Sequence, residues 1–411
     1  MIRRHSSVFI WPLAVSYVLL ASFAASAKEV DDDTPIKAVG GAVHADLFTG
    51  ATTTSIPIEV PPGRNGMQPN LQLVYSSANG NGWVGMGWKL EVGAIERQTR
   101  FGVNYSGDDY TFHLNGVSTE LVATPQYGTD EYRAKIEGGF TRIRKLSSGG
   151  WEATDKKGTK YLFGQTGASR ITNSDGSLIF KWCLDWVVDR DGNYMKVVYW
   201  GDQGNNQGYL DEVRYTGHTS DGLESGSDVA PTNVIKFYRD AGDRLDAPDM
   251  YTSNFKIKTR YRLKTIAVWA DLAMTKLVRA YKVQYSQGSS TGNSMVSAVQ
   301  QFGSNASLNT SGTITNEGVA SALPAATVQY TASPGTFDVT PWTWTSGGNW
   351  STNYEAIIPG DFNGDGKADI YIHGRDGAQV PDYMGLSTGT GFSLWTWGVR
   401  WDLVKFRSNP W

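Results

Sequence analysis

Cysteine is all but missing. Cys183 is the one thiol in 411 residues, so no disulfide can form within the chain in any compartment. Its apolar setting, Phe180-Lys181-Trp182-Cys183-Leu184, marks a buried structural thiol rather than a nucleophile. Histidine is scarce as well: beyond His5 the chain holds His44, His113, His218 and His373, with no two at metal-ligand spacing. Charge of one sign never accumulates. The chain carries 37 Lys and Arg against 40 Asp and Glu, without long runs, and this excludes the clustered basic face that nucleic acid requires. Beyond the N-terminus no stretch is apolar enough to cross a bilayer as a helix, so stable membrane insertion by this chain is not expected.

What is present begins with an export signal. Arg3 and Arg4 precede the mostly apolar run Val8 to Phe23, and Ala25-Ser26-Ala27 offers small residues for cleavage. The reading is a signal peptide over residues 1–27, cleaved after Ala27, with a linker over 28–40 and a product that is secreted or displayed at the cell surface. The rest is rich in the residues of strands and turns, with 47 Gly, 20 Tyr and 15 Trp. Tyr110 to Leu114 before Asn115-Gly116, Lys160 to Phe163 before Gly164, and Val197 to Trp200 after Asp191-Gly192-Asn193 each read as a short strand beside a turn. The best helical stretch, Ala267 to Ala280, carries Val268, Trp269 and Val278 among β-branched neighbours and is also expected to be mostly strand. The fold class is all-β.

The most informative segment runs from Ser55 to Leu90. Ser55 to Val60 alternates apolar and polar residues, Pro61-Pro62-Gly63 stops it, and Leu71 to Tyr75 resumes the period of two. The string IPIEVPPGRNGMQPNLQLVYSS, followed by GNGWVGMGWKL and Ile95-Glu96-Arg97, resembles the opening of the SpvB-type domain. That domain begins the Salmonella virulence plasmid B protein and the B subunits of bacterial Tc insecticidal toxin complexes. Tyrosine-bearing strands over 185 to 300, such as Tyr209 to Thr216 and Tyr281 to Tyr285, resemble those of RHS/YD-repeat shells. The resemblance implies an RHS-shell-like β domain over 41–336, a non-catalytic scaffold role, and other toxin-complex subunits or a downstream cargo domain as partners. The Salmonella protein also carries an ADP-ribosyltransferase module that uses a Glu-x-Glu pair. No two glutamates here stand two apart, so the resemblance transfers a scaffold and no catalytic activity.

Residues 337–411 read differently. Asp361, Asn363, Asp365 and Asp369 supply side-chain oxygens at relative positions 1, 3, 5 and 9, with the Lys367 carbonyl at 7 and Gly366 permitting the sharp turn. Such an oxygen cage suits Ca²⁺, the expected cofactor. Position 12 is Ile372 rather than glutamate, and a strand follows, so this is no EF-hand. The sequence PGDFNGDGKADIYI resembles FG-GAP/VCBS repeats, whose calcium loops join strands of β-propeller blades. Trp342-Thr343-Trp344 recurs as Trp395-Thr396-Trp397, 53 residues later, as in a repeat. The next acidic loop would fall near 414, past Trp411, so the unit is expected to be incomplete and part of a longer toxin-like protein.

Enzyme signals are weaker. Gly80 to Gly85 fits G-x-G-x-x-G, but Trp88 to Val92 alternates like a strand and offers no helix N-terminus for a pyrophosphate. Gly288 to Gly292 and Gly385 to Gly389 fit G-x-S-x-G without a following helix. Asp185, Asp189 and Asp191 offer a glycosidase pair, although turn and cap roles suit them better. Two other functions stay open: a calcium-dependent surface or glycan-binding protein, and a hydrolase using those three carboxylates.

Overall fold

The computed structural model describes residues 43–47, 49–220, 229–242, 244–288, 291–330, 354–365, 367–375, 381–388 and 391–397. The signal peptide, the boundary near Thr336 and the first Trp-Thr-Trp therefore lie outside the described residues. The chain divides into two compact units, one through Thr331 and the other from Ala332. The elements described are strands and single 3-10 turns, as the composition predicted.

The first unit opens with a small sheet. β1 (Thr52–Ile58) pairs antiparallel with β2 (Leu71–Ser76), setting Ile58 against Leu71 and Ile56 against Leu73. The period of two puts all four in the core. β3 (Trp88–Lys89) joins the other edge of β2 through Val74 and Tyr75.

A closed barrel follows. β4 (Ala94–Arg97), β5 (Tyr110–Leu114), β6 (Val117–Ala123), β7 (Glu131–Ala134), β8 (Arg142–Lys145), β9 (Trp151–Thr154) and β10 (Lys160–Phe163) pair in chain order as an antiparallel meander. Both ends of the meander bond to β11 (Ile179–Val188). The Gly164 N–H donates to Cys183 O at 2.9 Å, and the Leu184 N–H donates to Gly93 O at 3.0 Å. Successive residues of a strand turn their polar groups to opposite edges, so β4 and β10 flank β11 and eight strands close on themselves. Closure removes the free edges that would otherwise template aggregation. Alternate residues fill the interior: Tyr110, Tyr132, Trp151 and Trp182 meet edge to face, with Tyr110 and Trp151 ring centroids 4.7 Å apart. Gly164 sits at the closing corner with φ +64°, and a Cβ there would lie 2.3 Å from the Trp182 ring. Only glycine tolerates both the left-handed backbone and that approach.

From β11 the sheet continues through β12 (Asn193–Asp202), β13 (Gln207–His218), β14 (Asn233–Arg239), β15 (Leu263–Trp269), β16 (Leu277–Gln287) and β17 (Ser294–Phe302). Ala267 to Ala280 is thus the end of one strand, a turn and the start of the next. The small sheet, the barrel interior and one face of the long sheet share one apolar core.

The second unit shows one four-stranded antiparallel meander: β18 (Tyr354–Gly360), β19 (Asp369–Gly374), β20 (Asp382–Ser387) and β21 (Phe392–Trp397). Among the described residues the expected propeller is not seen. A single sheet of this order is what the described residues contain, and the repeat reading goes no further than that here.

Candidate functional site

The acidic loop joins β18 to β19. Asp361 Oδ1 accepts the Gly364 and Asp365 N–H groups at 2.7 and 3.1 Å, and Asn363 Oδ1 accepts the Asp365 N–H at 2.9 Å. Asp365 Oδ1 accepts the Lys367 N–H at 2.9 Å, and its Oδ2 lies 3.1 Å from the Lys367 ammonium. These two Lys367 contacts hold the Asp365 carboxyl below its usual range. Asp369 is fully buried and accepts the Phe362 N–H at 2.9 Å and the Ser387 N–H at 2.7 Å, so it ties the loop to the end of β20. Oxygen donors of this kind suit a hard cation. They are not gathered about one point: among the described residues no three His, Cys, Asp or Glu side chains converge as a metal cluster.

The three hydrolase candidates are committed elsewhere. Asp185 is buried in β11 and accepts the Gln165 N–H, the Ser169 hydroxyl at 2.9 Å and the Thr166 hydroxyl at 3.1 Å. Burial pushes its carboxyl up, and these donors oppose the shift. Asp189 Oδ1 accepts the Asp191 and Asn193 N–H groups at 2.9 and 2.8 Å, which shapes the turn between β11 and β12. Asp191 accepts the Asn65 side-chain amide at 3.3 Å. None of the three is paired with another carboxylate in these bonds, as the turn-and-cap reading expects. Gly85–Met86 and Trp88–Lys89 are strands, so the Gly80 to Gly85 loop opens no helix. Ser387 ends a strand rather than a nucleophile elbow, and Ser290 lies outside the described residues.

Strand pairing assembles a polar group that the linear sequence did not reveal. On the outer face of the barrel, Glu96 of β4 lies 3.3 Å from Lys181 of β11 and 3.2 Å from His113 of β5. Burial alone would raise the Glu96 carboxyl, but Lys181 and His113 outweigh it and hold it at about 2. Lys181 and His113, with Cys183, Trp83, Trp88 and Tyr199, line a cavity of about 310 Å³. Burial pushes the Cys183 thiol up to about 11, so it stays protonated at neutral pH and is no nucleophile. Two further clusters are internal struts. Arg244 lies 2.7 Å from Asp246 and donates to Gly82 O at 2.7 Å, and Asp246 also accepts the Ser294 hydroxyl at 2.9 Å. In the second unit the buried Asp382 accepts the Tyr371 hydroxyl and the Gly374 N–H, each at 2.7 Å, beside His373 Nδ1 at 3.1 Å.

Residues 47–221 match the family model described as Salmonella virulence plasmid 65kDa B protein. Among curated proteins, the Mono(ADP-ribosyl)transferase SpvB of Salmonella typhimurium is 26% identical over 183 residues, covering 38% of this chain and 31% of that protein. The same protein of Salmonella dublin matches to the same extent. The match thus spans about a third of the length of these relatives. Among solved structures, TcdB2-TccC3 superposes with a TM-score of 0.60 at 17% identity, covering 90% of this chain and 21% of that one. The N-terminal domain of effector protein SpvB from Salmonella typhimurium strain LT2 gives 0.50 at 19%, covering 60% of this chain and 98% of that one. The Photorhabdus luminescens Tc holotoxin pore gives 0.56 at 18%, covering 89% and 20%. Likeness at these identities is one of fold. The chain holds an all-β, RHS-shell-like domain with a region like the N-terminal domain of SpvB and Tc toxins.

Proposed function

We propose that this chain is a secreted, non-catalytic shell segment of an SpvB/Tc-type toxin, acting with other toxin-complex chains or a downstream cargo domain. The observation that carries the reading is the eight-strand barrel running without a break into the long sheet, in a region matched by the family model over residues 47–221. A wall of this kind is rigid and edge-poor on the barrel side, which suits enclosure better than turnover. The carboxylates that a hydrolase would use are engaged in turns and caps. Co-expression with a Tc-type C subunit, followed by size-exclusion chromatography, tests the proposal. Co-elution supports a shell segment, whereas a glycan array with a selective signal, or turnover abolished by Asp185→Asn, favours one of the other functions.

Two finer points belong to the same reading. Residues 1–27 direct export, and the intact mass of the exported protein, starting at Lys28, checks this. The second unit is a blade-like FG-GAP/VCBS repeat holding Ca²⁺ through Asp361, Asn363, Asp365, the Lys367 carbonyl and Asp369. Its up-and-down strand order and the Asx turns that already curl the acidic loop support this. Cation entry requires Lys367 to release Asp365, so calcium is expected to protect residues 354–397 from protease and Asp365→Ala to abolish the protection. Equal cleavage in calcium and in chelator refutes the calcium loop.

A further inference from the structure

Among the described residues, the small sheet is one rung short. Main-chain polar groups alternate edges along a strand. In β2, Leu71, Leu73 and Tyr75 turn theirs toward β1, because Pro57, opposite Gln72, has no N–H to give. The Ser77 N–H donating to Thr52 O at 3.0 Å continues that alternation. Gln72, Val74 and Ser76 therefore face β3. The Ser76 N–H donates to Gly87 O at 3.0 Å, and Val74 pairs with Lys89. The next rung would join Gln72 to Glu91, and the ladder stops before it as the chain leaves for β4. Among the described residues, the Gln72 N–H and C=O meet no main-chain partner.

Beside this rung a cavity of about 530 Å³ opens between β2, residues 89–93 and the long sheet. Gln72 and Glu91 border it at the missing rung, and Leu184, Val187 and Val197 form its apolar wall. Lys89 and Glu91, both exposed, stand at the same opening with opposite charges.

We propose that this notch accepts an extended segment of a partner polypeptide as an added strand, hydrogen-bonded to Gln72 and presenting aliphatic side chains at every second position to Leu184, Val187 and Val197. A compact apolar ligand would fill the wall and leave the Gln72 groups without a protein partner. A peptide main chain supplies both a donor and an acceptor at that rung while its alternate side chains meet the wall. The paired opposite charges at the opening suit a segment of low net charge. The inference is independent of the shell reading, since it concerns one sheet edge and not the role of the whole chain.

The test uses the full chain and a fluorescent, end-capped nonapeptide of alternating Val and Thr, titrated by anisotropy. Saturable binding is expected. It is lost when the peptide is N-methylated at alternate residues on its bonding edge. Gln72→Pro removes the N–H at a rung β1 does not use, and weakens binding about tenfold while thermal unfolding stays unchanged. Peptide binding also slows hydrogen exchange at the Gln72 amide at least tenfold. The proposal is overturned by absent saturable binding, by equal binding of the N-methylated peptide, or by undiminished binding to a folded Gln72→Pro. Should that variant fail to fold, the N-methylated peptide and the Gln72 exchange rate in the unaltered chain decide, and an unchanged rate overturns the proposal.

Discussion

In the first unit the barrel interior is apolar and aromatic, with Ile95, Tyr110, Trp151 and Phe163 wholly enclosed. In the second unit the described residues bury Ile372 and Met384 alongside Asp369, His373 and Asp382, while Ile357, Ile358 and Phe362 stay exposed. Antiparallel meanders build both, but eight strands that close can direct every second residue to a common interior, and four strands in an open sheet cannot. The first unit therefore rests on area removed from water. Among its described residues, the second leans on a few charge-assisted hydrogen bonds between neighbouring strands.

The sharpest way to break that comparison is Trp151→Ala. Removing a fully buried indole that touches Tyr110, Tyr132 and Trp182 is expected to cost about 3–5 kcal/mol of first-unit stability. Thermal unfolding of the full chain reads the loss, and limited proteolysis of residues 354–397 should stay as before. Equal loss in both units would mean that they unfold as one.

Acid comes next. Glu96 titrates at about 2 in the fold against 4.5 as its ordinary value, so its contribution is complete above pH 4.5 and disappears as pH falls from there toward 2. Up to about 3 kcal/mol is involved. Urea midpoints of the first unit should drop between pH 5 and pH 3, and Glu96→Gln should flatten that slope.

Asp382→Ala turns the comparison to the second unit. It removes the carboxylate that accepts the Tyr371 hydroxyl and the Gly374 N–H, for a cost of about 2–3 kcal/mol. Protease should then reach residues 354–397 first while the barrel unfolds at its former temperature. The smallest effect is expected for Asp185→Asn, which keeps the size of the side chain and weakens its bonds to Gln165, Ser169 and Thr166 by about 1 kcal/mol. Calorimetry of the first transition resolves it. A larger change would give Asp185 a role beyond its cap.

Much of the strand content was legible in the chain. Alternation at Ser55 to Val60 and Leu71 to Tyr75 became β1 and β2, with Pro61-Pro62-Gly63 beginning the connection between them. The Asn115-Gly116 turn between β5 and β6 was marked by its residue types, because positive φ at both positions selects them. Asp189 and Asp191 were readable as turn residues for the same local reason. Such features depend on a few adjacent residues, and their cause is steric or a hydrogen bond to the nearest backbone.

Barrel closure was not legible. Nothing within Ile179 to Val188 announces that one edge takes β4 and the other β10, since partners distant in the chain are chosen by how whole faces pack. The grouping of Glu96, His113 and Lys181 followed from that pairing, as did the unpaired rung at Gln72. By itself the sequence determined the all-β class, the turns and the acidic loop, because these follow from local backbone preference and side-chain chemistry. Only the tertiary structure decided which strands meet, which charges are brought together out of water and where a sheet is left open, because those depend on long-range packing that no local pattern encodes.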